Sequence, residues 1–276
     1  MKVLFIGNRS NVLDVLLDFD YNYNIKVLAQ KNSHLEDYLI KRSMSFTSFT
    51  INQKEEIINE IKKNDFDALI SNGCPFILPV VNKNMFNIHP TYLPELRGKT
   101  PLNGVLYNNM KHVGATMHRI DKGIDTGNII FQQKEQIDTD IDLGLVYYLS
   151  FHLEGVVFRK GWKLLEENDF DYPGQKTKIN KGSYFNRTSD KMKIDFSTMT
   201  TDVIFRRIKA FGIRTQGALV SGIDKNIKRI FSAEVVFNKY LNELFKRDEP
   251  GTIVLEYDNK VLVKTIDGLV KLISYE

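Results

Sequence analysis

The chain of 276 residues has a single cysteine, Cys74, and no run of about 18 consecutive apolar residues. One cysteine excludes an intramolecular disulfide and a cysteine-rich metal site, and it favours a reducing compartment. The apolar stretch at the N-terminus is interrupted at Gly7 and Asn8, too early for the core of a signal peptide. We therefore expect a cytoplasmic protein that binds no metal and does not interact with membranes.

A large excess of one charge is also absent. Lys and Arg number 38 against 34 Asp and Glu, which gives a formal net charge of +4. The basic residues are spread along the chain, whereas a nucleic-acid binder usually concentrates them. The length suits one large domain, or one domain with a small appendage.

Short apolar segments alternate with amphipathic ones through the first part of the chain. Strands are predicted at residues 3–6, 25–29, 45–49, 67–71, 85–89, 113–120 and 128–137. Helices are predicted at residues 12–17, 34–41, 51–62 and 143–167. Alternation of elements of this size predicts an α/β fold with a doubly wound, mostly parallel sheet of the Rossmann-like type.

The last third of the chain has a different pattern. Residues 172–187 are rich in Lys, Gly and Asn and lack periodicity, which predicts a connector. After a short helix at 203–210, strand-like segments separated by turns follow at 218–220, 230–237, 252–257, 261–265 and 269–273. Five short strands predict a small β-barrel or sandwich. The predicted organisation is a first domain at 1–172, a linker at 173–187 and a small C-terminal β domain at 188–276.

Asn87 and His89 lie two positions apart on a predicted strand, and Pro90 follows them. Residues with this spacing project from the same face of a strand, and proline favours ending the strand there. Both side chains then lie at a carboxyl strand end, where open α/β sheets bind ligands. With Asp125 nearby, the set suits acyl transfer: one group stabilises an oxyanion, one handles a proton and one orients the histidine or holds it charged. His118, on another predicted strand, is interpreted as a packed or surface histidine.

Two loops after predicted strands are candidate binding segments. The turn at 7–11 precedes a helix, where backbone amides and the helix dipole favour phosphate. It lacks the second and third glycines of a dinucleotide fingerprint, but Asn8 and Arg9 indicate an anion contact rather than an ordinary turn. The apolar loop at 71–79 is either a plain turn into the core or a segment that could hold a flat heterocycle by its edge. Cys74 within it is interpreted as a small core residue rather than a nucleophile.

Four spaced motifs, which agree in order, resemble those of the folate-dependent formyltransferase family. They lie at residues 86–90, 93–98, 114–118 and 123–127. This family includes methionyl-tRNA formyltransferase, glycinamide ribonucleotide transformylase and the sugar N-formyltransferases. The resemblance implies 10-formyltetrahydrofolate as the formyl donor, an amine as the acceptor, and Asn87, His89 and Asp125 as the catalytic residues.

The resemblance also implies binding residues and the nature of the second domain. The folate is expected at Cys74, Phe76, Ile77, Leu78, Arg97 and Gly123, and the acceptor at Asn8, Arg9, Lys99 and Asn103. Segments 249–253 and 261–268 are similar to the OB-like barrel that follows the catalytic domain in the tRNA enzyme. The same barrel follows it in a sugar-nucleotide formyltransferase acting on UDP-4-amino-arabinose. We therefore expect an OB-like C-terminal domain.

Three acceptors are compatible with this resemblance. The purine enzyme normally ends where the second domain of this chain begins. The tRNA enzyme should carry a basic, glycine-containing loop after the second strand, whereas residues 29–33 pass straight into a helix here. Residues 97–103 resemble the corresponding stretch of the amino-arabinose enzyme. This favours a nucleotide-linked amino sugar, and we expect a dTDP-linked 3- or 4-amino-6-deoxyhexose used for surface polysaccharide such as lipopolysaccharide.

The remaining alternatives are formylation of methionyl-tRNA, formylation of glycinamide ribonucleotide, and a folate- or nucleotide-binding module without catalysis. Loss of a catalytic residue would be the signature of a binding module, and all three are present. Since sugar enzymes of the family are often dimers, a homodimer that binds no nucleic acid is the expected state.

Overall fold

The computed structural model describes residues 1–19, 23–223 and 226–276, which fall into two compact units. The first unit consists of Met1–Lys99, His112–Gln136 and Tyr148–Tyr184, and the second of Thr100–Lys111, Ile137–Tyr147 and Phe185–Glu276. Segments 100–111 and 137–147 thus group with the C-terminal region, although they precede the domain boundary predicted at residue 172. Within the described ranges, no helix is long and apolar enough to cross a membrane.

The helices and strands are numbered in chain order. The helices are α1 Asn11–Leu17, α2 His34–Lys41, α3 Lys54–Lys62, α4 Leu102–Tyr107, α5 Leu143–Glu166, α6 Ser189–Met192, α7 Thr201–Phe211 and α8 Lys239–Leu244. The strands of the first unit are β1 Lys2–Gly7, β2 Asn24–Gln30, β3 Thr47–Phe49, β4 Ala68–Asn72, β5 Met85–His89, β6 His112–Arg119 and β7 Ile129–Gln136. Those of the second are β8 Lys193–Asp195, β9 Ala218–Ser221, β10 Arg229–Val235, β11 Ile253–Tyr257, β12 Lys260–Lys264 and β13 Leu269–Tyr275.

The first unit is built on one sheet in the order β3-β2-β1-β4-β5-β6-β7. Strands β1 to β5 are parallel to one another, and β6 pairs antiparallel with both β5 and β7. Every residue of β4 is buried, as expected for a strand covered on both faces of the sheet. The predicted α/β, Rossmann-like fold is confirmed.

Apolar side chains pack against this sheet. On one face, Ile57 and Ile61 of α3 pack into a cluster with Ile6 and Leu69. Elsewhere in this unit the fully buried Trp162 of α5 contacts Phe86, with ring centroids 6.2 Å apart. Packing of this kind fixes the central strands, and with them the side chains at their ends.

The strand order reverses between β1 and β4, so their carboxyl ends flank the switch point of the sheet. Open α/β sheets bind ligands in the crevice at such a point. The turn after β1 meets the end of β4 there, since Asn8 N–H donates to the carbonyl of Asn72 over 3.1 Å. Strand β5 is the next neighbour of β4, which places Asn87 and His89 at the side of this crevice.

The second unit contains a sheet in the order β11-β12-β13-β10-β9-β8. All neighbours are antiparallel except β8 and β9. Helix α7 packs Ile204 and Ile208 against buried residues of this sheet. The five strands expected from the sequence are present. Strand β8 was not predicted, because three residues are too few to show a period.

Candidate active site

Of the three residues predicted to act together, Asn87 and His89 converge on the carboxylate of the third, Asp125. Its Oδ1 lies 3.5 Å from Nδ2 of Asn87 and 3.6 Å from Nδ1 of His89, while its Oδ2 accepts from Gly98 N–H over 2.9 Å. Hydrogen bonds between catalytic groups are often this long before substrate binds, so the two distances are compatible with the predicted roles. The structure therefore brings residues 87, 89 and 125 into one cluster. Their catalytic roles remain a prediction.

His118 is a fourth member of this cluster, which the sequence analysis missed. Its Nε2 lies 3.1 Å from Nδ2 of Asn87 and 3.6 Å from Oδ1 of Asp125. Its Nδ1 faces the carbonyl of the following residue at 2.8 Å, so a proton there leaves Nε2 to accept from the Asn87 amide. No local pattern in the sequence indicated this position, because His118 lies beside Asn87 only through the antiparallel pairing of β5 and β6.

His89 is buried, and acceptors face both of its ring nitrogens. The carbonyl of Leu96 lies 3.0 Å from Nε2, and Asp125 lies on the Nδ1 side. A carbonyl can only accept, so Nε2 carries a proton in this arrangement. Burial lowers the pKa of His89 below its usual 6.5, while Asp125 and the Leu96 carbonyl act in the opposite direction. Asp125 thus favours a charged His89 as expected, but burial is the larger effect and the resting ring is neutral.

Asp125 itself is held ionised. Burial would raise its pKa, but His89, His118 and the N–H of Gly98 hold that pKa well below its usual range. A carboxylate of such low basicity is suited to orient donors and to stabilise positive charge, rather than to store a proton.

The loop between β6 and β7 fixes Asp125 in a left-handed backbone conformation, with φ of 54°. Aspartate tolerates this region better than most residues do. The loop is braced by Asp121, whose Oδ1 accepts from Thr126 Oγ1 over 2.7 Å and from Gly123 N–H over 3.0 Å. A Cβ at Gly123 would lie 2.0 Å from Thr126 Oγ1. Glycine at 123, predicted as a folate contact, is thus required by the loop itself.

Four residues of the apolar loop after β4 were predicted to contact the folate, and only Ile77 among them has an exposed side chain. Leu78 is buried and Phe76 packs on Phe49 with ring centroids 5.8 Å apart, whereas the side chain of Ile77 is exposed. Burial raises the pKa of Cys74 to about 12, which agrees with an inert thiol.

Gly98 lies between two predicted contacts. Arg97 was expected to bind the folate, and Lys99 the acceptor. The backbone of Arg97 forms a bridge to Tyr184, and its buried Nε has no hydrogen-bond partner among the described residues. Lys99 is exposed. The amide between them already binds Asp125, so this segment is held against the cluster.

Asn8 and Arg9, predicted to bind the acceptor, are both engaged by the protein. Arg9 donates from Nε and Nη2 to the fully buried Glu154, over 3.0 and 2.6 Å, and lies 4.8 Å from the ring centre of Phe151. The amide of Asn8 donates to Gln30 over 3.3 Å. Because Glu154 balances its charge, Arg9 is a well-positioned donor with less net attraction for an anion than an unpaired arginine.

Asn103 is located in the second unit and is completely buried. Its Nδ2 donates to the carbonyl of Ala210 over 2.6 Å and to Oε1 of Gln216 over 2.7 Å. These contacts explain a polar residue at this position, and the role of Asn103 as an acceptor ligand stays a prediction. Across the described residues, no group of three or more His, Cys, Asp or Glu side chains is arranged to hold a metal ion.

Comparisons with known proteins agree on one family over both units. A family model described as formyl transferase matches residues 2–155, and one described as formyl transferase, C-terminal domain, matches residues 187–276. The methionyl-tRNA formyltransferase of Caldicellulosiruptor saccharolyticus is 25% identical over 302 aligned positions, which cover 99% of this chain and 91% of that protein.

Two solved structures have the same fold over the full chain. The N-formyltransferase from Helicobacter canadensis, in complex with folinic acid and dTDP-3-aminofucose, has a TM-score of 0.73 and 21% identity, with 100% of both chains covered. WlaRD, a sugar 3N-formyl transferase in the presence of dTDP and 5-N-formyl-THF, has a TM-score of 0.72 and 23% identity, covering 100% of this chain and 97% of the other.

Proposed function

The chain belongs to the formyl transferase family, and we propose that it moves a formyl group from 10-formyltetrahydrofolate to the amine of a nucleotide-linked amino sugar. The observation that carries this proposal is the cluster around Asp125, where nitrogens of Asn87, His89 and His118 surround one carboxylate oxygen. Its side chains supply a donor for an oxyanion, a histidine able to gain a proton and an anion that stabilises the charged histidine.

The chemistry follows from these positions. The acceptor amine attacks the formyl carbon, and the carbonyl oxygen becomes an oxyanion. Asn87 donates its amide to that oxyanion, an effect worth on the order of 3 kcal/mol. The amine proton passes by way of Asp125 to Nδ1 of His89, and the imidazolium then donates to Asp125 and to the Leu96 carbonyl. When the intermediate collapses, this proton goes to the leaving folate nitrogen.

Folate as the donor is supported by the ligands of the neighbours, since the named complexes contain folinic acid or 5-N-formyl-THF. In this chain, the exposed Ile77 and Ile124 lie on the two loops that follow β4 and β6. The loop after β4 leaves a carboxyl end of the parallel strands and the loop after β6 carries Asp125, so each loop joins a part of the site that could hold a flat ring system.

The choice between a sugar and tRNA depends on the turn after β2. Strand β2 ends at Gln30 and α2 begins at His34, leaving three residues between them. Ser33 caps the helix, its Oγ accepting from Glu36 N–H over 3.3 Å. A turn this short has no room for the basic loop expected of a tRNA enzyme. This favours the sugar, although the curated relatives include methionyl-tRNA formyltransferases over the full chain.

The neighbours also suggest the form of the acceptor. Both are named for an amine at position 3, one on a dTDP-linked sugar and one in the presence of dTDP. We therefore put a dTDP-linked 3-amino-6-deoxyhexose first and its 4-amino isomer second, with surface polysaccharide synthesis as the expected role.

A direct assay tests this proposal. The purified chain is given 10-formyltetrahydrofolate with dTDP-, UDP- or GDP-linked amino sugars, with glycinamide ribonucleotide, or with initiator methionyl-tRNA. We expect N-formylation of the dTDP-amino sugar and none of the tRNA. Efficient formylation of the tRNA would overturn the sugar assignment, and activity restricted to UDP- or GDP-sugars would replace the proposed base.

The homodimer remains a prediction for the second unit. Phe237, Tyr240 and Leu244 are spaced three and four residues apart and are 84%, 75% and 57% exposed. In contrast, Val261 and Val263 are core residues of that unit. A second copy is therefore expected to bind at the surface formed by Phe237, Tyr240 and Leu244. Light scattering of the full chain would show whether two copies associate.

A further inference from the structure

The segment Gly182–Tyr184, predicted from the sequence to be only part of a linker, is bound to the loop that supports His89 and Asp125. Ser183 makes three hydrogen bonds to this loop: Leu96 N–H donates to its Oγ over 2.9 Å, Arg97 N–H donates to its carbonyl over 3.0 Å, and its own N–H donates to the Pro94 carbonyl over 3.2 Å. All of these residues lie in the first unit.

The approach of this segment to the loop is close. A Cβ at Gly182 would lie 2.3 Å from the carbonyl oxygen of Pro94. No real side chain tolerates that distance to backbone, so Gly182 allows Ser183 to reach the loop. The contact therefore depends on a particular residue type next to the serine.

Leu96, the residue that Ser183 holds, has an unusual backbone. Its φ is 53°, in the left-handed region that a leucine rarely adopts, and its side chain is buried. Such conformations persist only where surrounding contacts determine them. Here the contacts are the Ser183 hydroxyl on the N–H side and, on the carbonyl side, Nε2 of His89 at 3.0 Å and Thr91 Oγ1 at 3.3 Å.

From this geometry we propose that Ser183 is a positioning residue for His89. By holding the peptide N–H of Leu96, its hydroxyl aims the Leu96 carbonyl at Nε2 of His89. That carbonyl keeps the proton on Nε2 and leaves Nδ1 on the Asp125 side, where the proton is gained during transfer. The same loop places Gly98 N–H on Asp125, so one segment holds both groups of the proton path.

The expected change in kcat rests on the proposed function. The expected change in the tautomer and pKa of His89 does not. In Ser183→Ala, kcat for formyl transfer should fall about five- to tenfold, with KM for the folate unchanged, because one neutral hydrogen bond behind the catalytic histidine is lost. Ser183→Thr keeps the hydroxyl and should restore kcat. Ser48→Ala is the matched control, since Ser48 is also exposed and its hydroxyl also forms one hydrogen bond within the first unit, donating to Glu36 away from the cluster.

A second measurement does not depend on activity. Nitrogen-15 NMR of the histidine rings, with the His89 signal identified from His89→Asn, reports the tautomer and pKa of His89. In Ser183→Ala the Nε2–H tautomer should become less populated and the pKa of His89 should fall, while both are unchanged in Ser48→Ala. An unchanged His89 spectrum in Ser183→Ala would overturn the proposal, and so would a lowered melting temperature with full kcat. If no acceptor is formylated by the wild type, the proposed function fails while the NMR result still tests the positioning.

Discussion

At the residue scale, the carboxylate of Asp125 organises the site through its charge. Asp125→Asn keeps the size of the side chain but removes the charge that stabilises a protonated His89. Turnover should fall at least about a hundredfold with folate binding largely kept, and the same is expected of His89→Asn. Steady-state kinetics and a folate titration measure the two effects. Near-normal turnover in either variant would show that these residues do not carry the reaction.

Burial of His89 also predicts a pH dependence of stability. Its pKa is lowered below the usual 6.5, so the folded state binds fewer protons than the unfolded chain as the pH falls through that value. The resulting stability is present above about pH 6.5 and is lost as the pH falls toward the folded pKa. Asp125 does not contribute to the change of unfolding free energy in this pH range. Its pKa is lowered, so the stability that it contributes is lost only when the pH falls below the usual pKa of a carboxylate.

The expected result concerns unfolding free energies measured by urea titration between about pH 7 and pH 5. Wild type should lose stability across this range, and His89→Gln, which cannot titrate, should lose less. His34→Gln, at an exposed histidine, should follow the wild type. Equal pH slopes in wild type and His89→Gln would contradict the burial argument.

The sequence predicted the three clustered residues because their signals are local or motif-based. Asn87 and His89 share a strand face, and Asp125 belongs to a motif resembling one of the family. His118 could not be assigned in this way, because its place beside Asn87 depends on the antiparallel register of β5 and β6. The role of Ser183 could not be predicted either, because its contacts to residues 94–97 join positions that are far apart in the sequence.

At the element scale, the loop between β6 and β7 determines whether Asp125 reaches the cluster. A Cβ at Gly127 would lie 1.8 Å from the carbonyl oxygen of Arg119, a backbone atom that cannot move away easily. Gly127→Ala should therefore displace the loop, with turnover lowered at least about tenfold and stability lowered by about 1–3 kcal/mol. Kinetics and urea unfolding check both effects.

The matched control is Gly144→Ala in α5, where the nearest atom to a new Cβ is a side-chain oxygen of Asp142 at 3.3 Å. Alanine is the better helix former, so this variant should be as stable as wild type or more stable, with normal turnover. A Gly127→Ala variant that behaves like this control would show that the loop tolerates the added methyl group.

Elements with a clear period or a strong cap were predictable. Helix α2 begins and ends where its apolar spacing and Ser33 indicate, and β5 matches its predicted bounds. Helices α4 and α8 were missed because each is only six residues long, too short for a helical period to be recognised. Asn103, predicted as an acceptor contact, lies in α4, and its side chain is buried.

At the scale of the whole molecule, the chain crosses between its compact units more than once. Helix α4 belongs with the C-terminal unit, where Leu102 and Val105 are buried and Asn103 donates to Ala210 and to Gln216. A sequence-based boundary assumes that each domain is continuous, and the long-range packing of α4 cannot be read from local pattern.

Truncation before Thr188 tests this organisation. Removing residues 188–276 removes every partner of Asn103 named above and exposes the apolar residues of α4, so the remaining chain should aggregate or melt well below the full chain. This loss should occur although Asn87, His89 and Asp125 are all retained.

In the full chain, Asn103→Ala should lower the free energy of unfolding by about 1–3 kcal/mol, because buried acceptors lose their donor, and should leave KM for the folate unchanged. Light scattering, thermal unfolding and folate titration separate the two variants. A truncated chain that is soluble, monodisperse and as stable as the full chain would show that the first domain ends where the sequence alone suggested and that α4 does not need the C-terminal unit.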